Sequence, residues 1–258
     1  MRMSNALRRC IAPGIRYHQD TFVDVLADLV PQGGDWLDLG CGHQLLPGWR
    51  ADEAPRLTGR ARRIFGLDCD LDSLRRHRTI RFRSRADIGA LPFADDSFDL
   101  VTANMVVEHL SDPTTQFREI ARVLRAGGTF LFHTPNTSNY QVQLGRLLPD
   151  RVKTALAGVL EGRRAEDVYP TFYRANDTAS IAACAAEAGL DVARLDHVSS
   201  YPGLGLVPPL ALVELCWIRV LERPSLAAYR HNIIGALRKP AALRLEPWTT
   251  PHVRRADR

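Results

Sequence analysis

Lysine is nearly missing: of the 34 basic residues in this 258-residue chain, only Lys153 and Lys239 are lysines. The formal charge of +5 therefore rests on arginine, a bias that a GC-rich genome explains without any function. The densest basic run, Leu74 to Arg85, reads as a solvated helix and strand edge, with contact to an anionic substrate or nucleic acid as the alternative. No apolar stretch follows the arginines of the first residues, so no secretory signal is expected. Five scattered cysteines form no CxxC pair and no Cys/His cluster, which excludes a zinc site and fits a cytoplasmic protein. Internal repeats and low-complexity tracts are lacking too. The longest apolar run, residues 203–221, has the length of a membrane span but is interrupted by Pro208-Pro209, Glu214 and Arg219.

What is present is ordinary for a globular chain: 45% apolar and 24% charged residues, enough to bury one sizeable core with an elaboration. Residues 17–30 place Phe22, Val25, Leu26 and Leu29 on one helical face. Strands are expected at 35–39, 61–68, 80–84, 98–104 and 129–135. Helices fall between them at 70–78, where Asp70 is an N-cap, and at 113–125, which Ala126-Gly127-Gly128 would stop. Alternation of this kind predicts an α/β fold with a mostly parallel sheet covered on both faces. Beyond residue 136 the alternation breaks. A helix candidate (KTALAGVLEGRR), the aromatic stretch VYPTFYR, a helix over 175–189 and a strand over 190–200 follow. A last strand at 233–240 is expected antiparallel, slotted between strands five and six. The expected divisions are a helical cap (1–34), a ligand-binding core (35–136), a lid insertion (137–173) and the remainder of the sheet (174–258).

In such sheets ligands lie beyond the carboxyl ends of the strands. The distinctive residues cluster there: Gly40-Cys41-Gly42, Asp68, Asp87, Asn104 and Thr134-Pro135-Asn136. The GxG turn brings bare backbone against a ligand, but a dinucleotide fingerprint needs a third glycine and the chain has Leu45. The ligand therefore need not be a pyrophosphate. A carboxylate at the end of strand two, Asp68, suits the two hydroxyls of a ribose, and Asp87 suits an adenine amino group.

The ordered set LDLGCG, FGLD, ADIGALPFADDSFDLV, NMVVEHL and REIARVLRAGGTFLFHTPN resembles the class I S-adenosylmethionine-dependent methyltransferases, closest to the small-molecule branch that includes ubiquinone-pathway O-methyltransferases. The match covers roughly residues 33–136 and, more loosely, 174–240. The resemblance implies a Rossmann-like seven-stranded sheet and S-adenosyl-L-methionine as cofactor. It implies that Asp38, Gly40 and Gly42 line the methionine end and that Asp68 holds the ribose. Asp87 and the Ile88 amide would face the adenine, and the Asn104 carbonyl the ammonium group. Gln44 replaces a frequent third glycine, Ala126 replaces the proline of a PGG turn, and an extra loop (WRADEAPRLTGRAR) precedes strand two.

Methyl transfer from a sulfonium is an in-line displacement in which alignment carries much of the catalysis. A hydroxyl acceptor must also lose a proton, so a histidine base is expected. His109 is the first candidate and His133 the second, with His18 in the RYHQ stretch a third. Glu108-His109 resembles part of an E-x-x-E-H metal pattern, but Met105 stands at the first glutamate position and no metal is expected. The acceptor is expected to be a small molecule, glycan- and lipid-linked ones included, held by Tyr169, Tyr173 and Arg174, since aromatic faces and a guanidinium suit a ring, a sugar or a charged group. Nucleic acid is the weaker partner. TANMVV lacks the N/D-P-P-aromatic turn of base amino-group methylation, and no RNA-binding module is visible. The alternatives are an RNA methyltransferase and a non-catalytic protein keeping the fold. Residues 203–221 read as a buried or dimer-forming helix, or else as an interfacial helix touching a membrane.

Overall fold

Every residue of the segment Asp35–Leu39 is buried, as a strand covered on both faces requires. The computed structural model describes residues 10–147, 169–203 and 208–241. In chain order the elements are α1 (His18–Leu29), β1 (Asp35–Leu39), α2 (Ala54–Thr58), β2 (Arg63–Asp68), α3 (Leu71–Arg76), β3 (Phe82–Arg85) and β4 (Phe98–Asn104). After them come α4 (Pro113–Val123), β5 (Leu124–Pro135), α5 (Tyr140–Leu147), α6 (Thr178–Glu187), β6 (Asp191–Val198), α7 (Pro208–Leu221) and β7 (Asn232–Arg238). The seven strands form one sheet in the order β3-β2-β1-β4-β5-β7-β6. β7 is antiparallel to both neighbours and lies between β5 and β6, as the sequence predicts.

Helices cover both faces. On one, Phe98, Phe117, Phe130, Phe132 and Ile181 join α4 and α6 to the sheet. On the other, Phe22, Leu26, Trp36, Leu57, Leu74 and Leu131 join α1, α2 and α3 to it. Residues of the expected N-terminal cap thus share a core with the central strands. Local signals set the ends. Asp70 caps α3 by accepting from the Asp72 and Ser73 amides, and Asp112 caps α4, whose first residue is Pro113. The edge strand β3 carries Arg83 and Arg85, charges that discourage further pairing.

Two departures from expectation have local causes. The Ala126-Gly127-Gly128 stop lies inside β5, which starts at Leu124; Gly127 adopts φ +80° and its amide donates to the Lys239 carbonyl, so the kink is absorbed within the strand. Residues 140–147, for which no element is expected, form a helix started by Asn139 Oδ1 accepting the Gln141 amide at 2.7 Å. The helix expected over KTALAGVLEGRR lies outside the described residues.

Candidate functional site

Two adjoining clefts open at the carboxyl ends of β1 and β4 beneath α1. The first, ≈ 170 Å³, is lined by Asp38, Gly40, Cys41, Gly42, Thr102 and Asn104 from the rim, with Phe22 and Leu26 of α1 on the far wall. The second, ≈ 220 Å³, is lined by Tyr17, Gln19, Trp49 and Pro47 and shares Gln44, Leu45 and Asn104 with the first. A helical cap over 1–34 is expected from the sequence, but not which of its residues line the cleft. The periodicity placed Phe22 and Leu26 on an apolar face, but only docking shows that this face also roofs a cleft.

The glycine turn is shaped by its neighbours. Gly40 has φ +60°, and a Cβ there would meet Val106 Cγ2 at 2.4 Å. Gly42 has φ +55° with nothing within 4 Å of such a Cβ, so a methyl group there would project into open space. Cys41 is buried over Gly66, whose absent side chain makes room for its Sγ. Burial, then the charges of Asp38 and Asp68, push this thiol up and make it a packing residue rather than a nucleophile.

Asp38 is 8% exposed and accepts from Thr102 Oγ1 at 2.6 Å; Thr102 in turn accepts from Trp36 Nε1. Burial pushes the Asp38 carboxyl up to about 7; the Thr102 hydrogen bond opposes this and the charge of Asp68 adds to it. Asp68 accepts the Gly42 amide on Oδ2 and the Asp70 amide on Oδ1, both at 2.8 Å. Each oxygen keeps a second lone pair. Asp87 stands apart in the loop after β3, exposed, with Oδ1 accepting from the Gly89 amide, and Ile88 packs against the core on the α4 face.

Under the cleft lies a chain that the sequence does not connect. Gln19 accepts from Asn104 Nδ2 at 2.9 Å, and Asn104 Oδ1 pairs with His133 Nδ1 at 2.8 Å. His133 Nε2 lies 3.0 Å from His18 Nδ1. An amide oxygen only accepts, so His133 carries its proton on Nδ1, its Nε2 accepts from His18, and the Nε2 lone pair of His18 stays outside the chain. His133 is fully buried with both ring nitrogens engaged. Burial and then His18 hold it well below the usual histidine range, while burial and then His231 lower His18 to about 4.

His109 belongs to a second cluster. Its Nδ1 lies 2.8 Å from the Pro170 carbonyl, and the Tyr169 ring stands edge-on to it at 6.0 Å. The Glu108 carbonyl accepts the Phe172 and Tyr173 amides, which ties the aromatic stretch to the rim. The buried Glu108 carboxylate accepts from Thr134 Oγ1 at 3.0 Å. Arg174 donates to the Ser111 carbonyl and lies over the Phe172 ring. Met105 and Tyr173 both have positive φ, at 58° and 52°. The fold therefore gathers Asp38, Gly40, Gly42, Asn104 and, through the turn, Asp68 into one site, and His109, Tyr169, Tyr173 and Arg174 into another.

Residues 37–132 match the family described as Methyltransferase domain. Over that stretch the chain is similar to S-adenosylmethionine-dependent methyltransferases. Over 109 residues it is 40% identical to a "Probable S-adenosylmethionine-dependent methyltransferase" of Mycolicibacterium smegmatis, covering 40% of this chain and 39% of that one. Over 104 residues it is 36% identical to a malonyl-[acyl-carrier protein] O-methyltransferase of Legionella pneumophila, covering 38% and 35%. The chain thus spans well under half the length of these relatives. Among solved structures, the methyltransferase in a complex with the Haloferax volcanii Trm112 activator superposes with TM-score 0.55 at 22% identity, covering 86% of this chain and 89% of that one. That likeness speaks for the fold alone. S-adenosylmethionine is the cofactor named for the Mycolicibacterium relative, and the residues of the rim are of a kind that could hold it: a buried acid, a glycine facing open space, and a carboxylate with lone pairs to spare.

Proposed function

We propose that this chain transfers a methyl group from S-adenosylmethionine to a hydroxyl of a small-molecule acceptor. The observation that carries this reading is that Asp38 and the Gly40–Gly42 turn line one cleft roofed by α1, with Asp68 accepting the Gly42 amide beside it, inside a stretch that matches the methyltransferases. The cofactor supplies an electrophilic methyl on a sulfonium. Asp38 and the Asn104 carbonyl would receive the cationic methionine end, and Gly42 lets backbone approach it. The remaining lone pairs of Asp68 would accept from ribose hydroxyls, and Asp87 with the Ile88 amide would meet the adenine edge. On the acceptor side, Tyr169 and Tyr173 would supply faces and Arg174 a charge. His109, its Nδ1 oriented by the Pro170 carbonyl and its Nε2 4.0 Å from Glu108, would take the acceptor proton. His133, sealed in, would act through His18. Oxygen as the methylated atom draws support from the His109 imidazole beside the aromatic cluster and from the name of the Legionella relative.

Isothermal titration with S-adenosylhomocysteine tests the cofactor half. Binding is expected in the wild type, and Asp68→Ala should weaken it about tenfold or more, since charge-assisted hydrogen bonds contribute roughly 1.5–3 kcal/mol. No heat in the wild type, or unchanged affinity in a folded mutant, would remove the ribose from this position. For the catalytic half, release of S-adenosylhomocysteine is followed across a panel of hydroxylated acceptors. His109→Ala should lower turnover by about 10²–10⁴-fold with cofactor affinity nearly intact. Undiminished turnover would transfer the proton to His18 or to water.

A further inference from the structure

α7 is built the wrong way round for a surface helix. Its one carboxylate, Glu214, points inward, only 4% exposed, where it accepts from Tyr140 Oη at 2.5 Å and Gln141 Nε2 at 2.8 Å. Its outward face is apolar: Leu210, Leu212, Val213 and Trp217 are between 42% and 67% exposed, and Cys216 is exposed beside them. An ordinary amphipathic helix turns charge to water and apolar groups to the core. A contiguous patch of this kind on a soluble fold marks an interaction surface.

The charges around the patch select the partner. The exposed ionic groups at its carboxyl-terminal end are Arg219, Glu222 and Arg223. Glu222 is engaged by Ser199 and lies 3.7 Å from Arg230, which leaves the outward balance positive. Trp217 combines an apolar ring with a polar N–H, a pairing that suits the boundary between acyl chains and headgroups. The inner side of α7 leads to the cleft. Ile218 packs with Ala12, Ile15 and Tyr201; Tyr201 stacks on Tyr17 at 5.1 Å; and Tyr17 lines the second cleft and lies 5.5 Å from Trp49, itself 60% exposed. No described helix is long and apolar enough to cross a membrane.

We propose that the outer face of α7 docks on an anionic lipid bilayer, with Leu210, Val213 and Trp217 entering the acyl boundary and Arg219 and Arg223 meeting the headgroups. The surface then holds the cleft mouth, one aromatic layer away, against the phase in which an amphiphilic acceptor is dissolved. This docking needs no cofactor and stands apart from the methyl-transfer reading.

Co-sedimentation of the whole protein with vesicles tests it. One set is phosphatidylcholine alone and the other is phosphatidylcholine with a quarter phosphatidylglycerol, each at low and high salt. The wild type should partition onto the anionic vesicles at low salt with a blue shift of tryptophan emission. Val213→Asp should lower the partition coefficient about tenfold or more, because a charge replaces the most exposed apolar side chain. Arg223→Gln should lower it about fivefold, and only on the anionic set. Calorimetry with S-adenosylhomocysteine should give the same affinity for wild type and both variants, which shows the variants are folded. Vesicle binding without cofactor binding would sink the proposed function and leave this surface standing. Equal pelleting of wild type and Val213→Asp, or none at all, would overturn the proposal. So would a dimer, seen by light scattering, that Val213→Asp splits, since a second copy would then be the occupant.

Discussion

Ionising a carboxylate is costly where Thr102 and the cleft wall replace water, and Asp38 occupies that position with its carboxyl pushed up to about 7, first by burial. A cationic ligand group beside it favours the ionised form, so binding expels a proton whenever Asp38 begins protonated. Affinity for S-adenosylmethionine should therefore climb with pH, by up to about tenfold per unit below 7, and flatten above. The same residue acts oppositely on the empty protein. Its folded value lies above the value of about 3.9 for an unfolded aspartate, so its contribution to stability is fullest below about pH 4 and is lost as pH rises through 7. The thermal upshift given by cofactor should accordingly grow over that window. Calorimetry in buffers of different ionisation enthalpy reads the released proton directly. Asp38→Asn should abolish both slopes; a pH-independent affinity in the wild type would place the cation elsewhere.

The β1–α1 region shows how one turn serves two purposes. Gly40 and Gly42 both adopt the left-handed conformation, yet what surrounds them differs. Alanine at 40 would drive a methyl into Val106 Cγ2, in addition to the backbone strain, and should cost about 1–3 kcal/mol of stability in urea titrations. Alanine at 42 meets no atom within 4 Å, so it should cost only the strain of about 1–2 kcal/mol. Its methyl would nonetheless stand in the cleft, and cofactor affinity should fall for this variant. If instead Gly42→Ala binds as tightly as the wild type, the ligand does not pass over that residue. The helix above the turn makes a related point. Its periodicity revealed a helix over 17–30, but Phe22 packs in the core, stacks on His133 and lines the cleft at once. Periodicity reports that a face is apolar, not which of several apolar surroundings receives it.

Across the whole molecule, the sheet was legible because parallel strands buried on both faces read as apolar runs, and because β1 runs into a glycine and β2 ends in an acid at the rim. Two strands were expected after the alternation broke, and the second, β7, lies antiparallel between β5 and β6 as expected of a strand completing seven. The pairing of His18 with His133 was not, since 115 residues separate them and neither sits in a local pattern. The opposite end of the sheet was equally silent. There Asp35, 1% exposed, receives Arg62, Arg63 and Arg125, the last also binding Asp99, so that β1, β2 and β5 are tied at their amino ends. Burial works to raise the Asp35 carboxyl, but the hydrogen bonds from Arg63, Arg62 and Arg125 outweigh it and hold the group well below the usual carboxylate range. A lowered folded value means that this contribution is complete above the unfolded value of about 3.9 and is lost as pH falls below it. Because all three guanidiniums keep a third or more of their surface in water, Asp35→Asn should cost only about 1–2 kcal/mol, less than a fully buried pair. For a chain of this length that lowers the melting temperature by roughly 2–8 °C at neutral pH. The deficit should shrink steadily as pH falls below about 3.9 and vanish only where the folded carboxyl is itself protonated, and cofactor affinity should be untouched because the cluster lies at the far end of the strands. Melting curves of the two proteins across that range check the claim: a deficit that persists unchanged into acid would mean that the arginines hold Asp35 by shape rather than by charge.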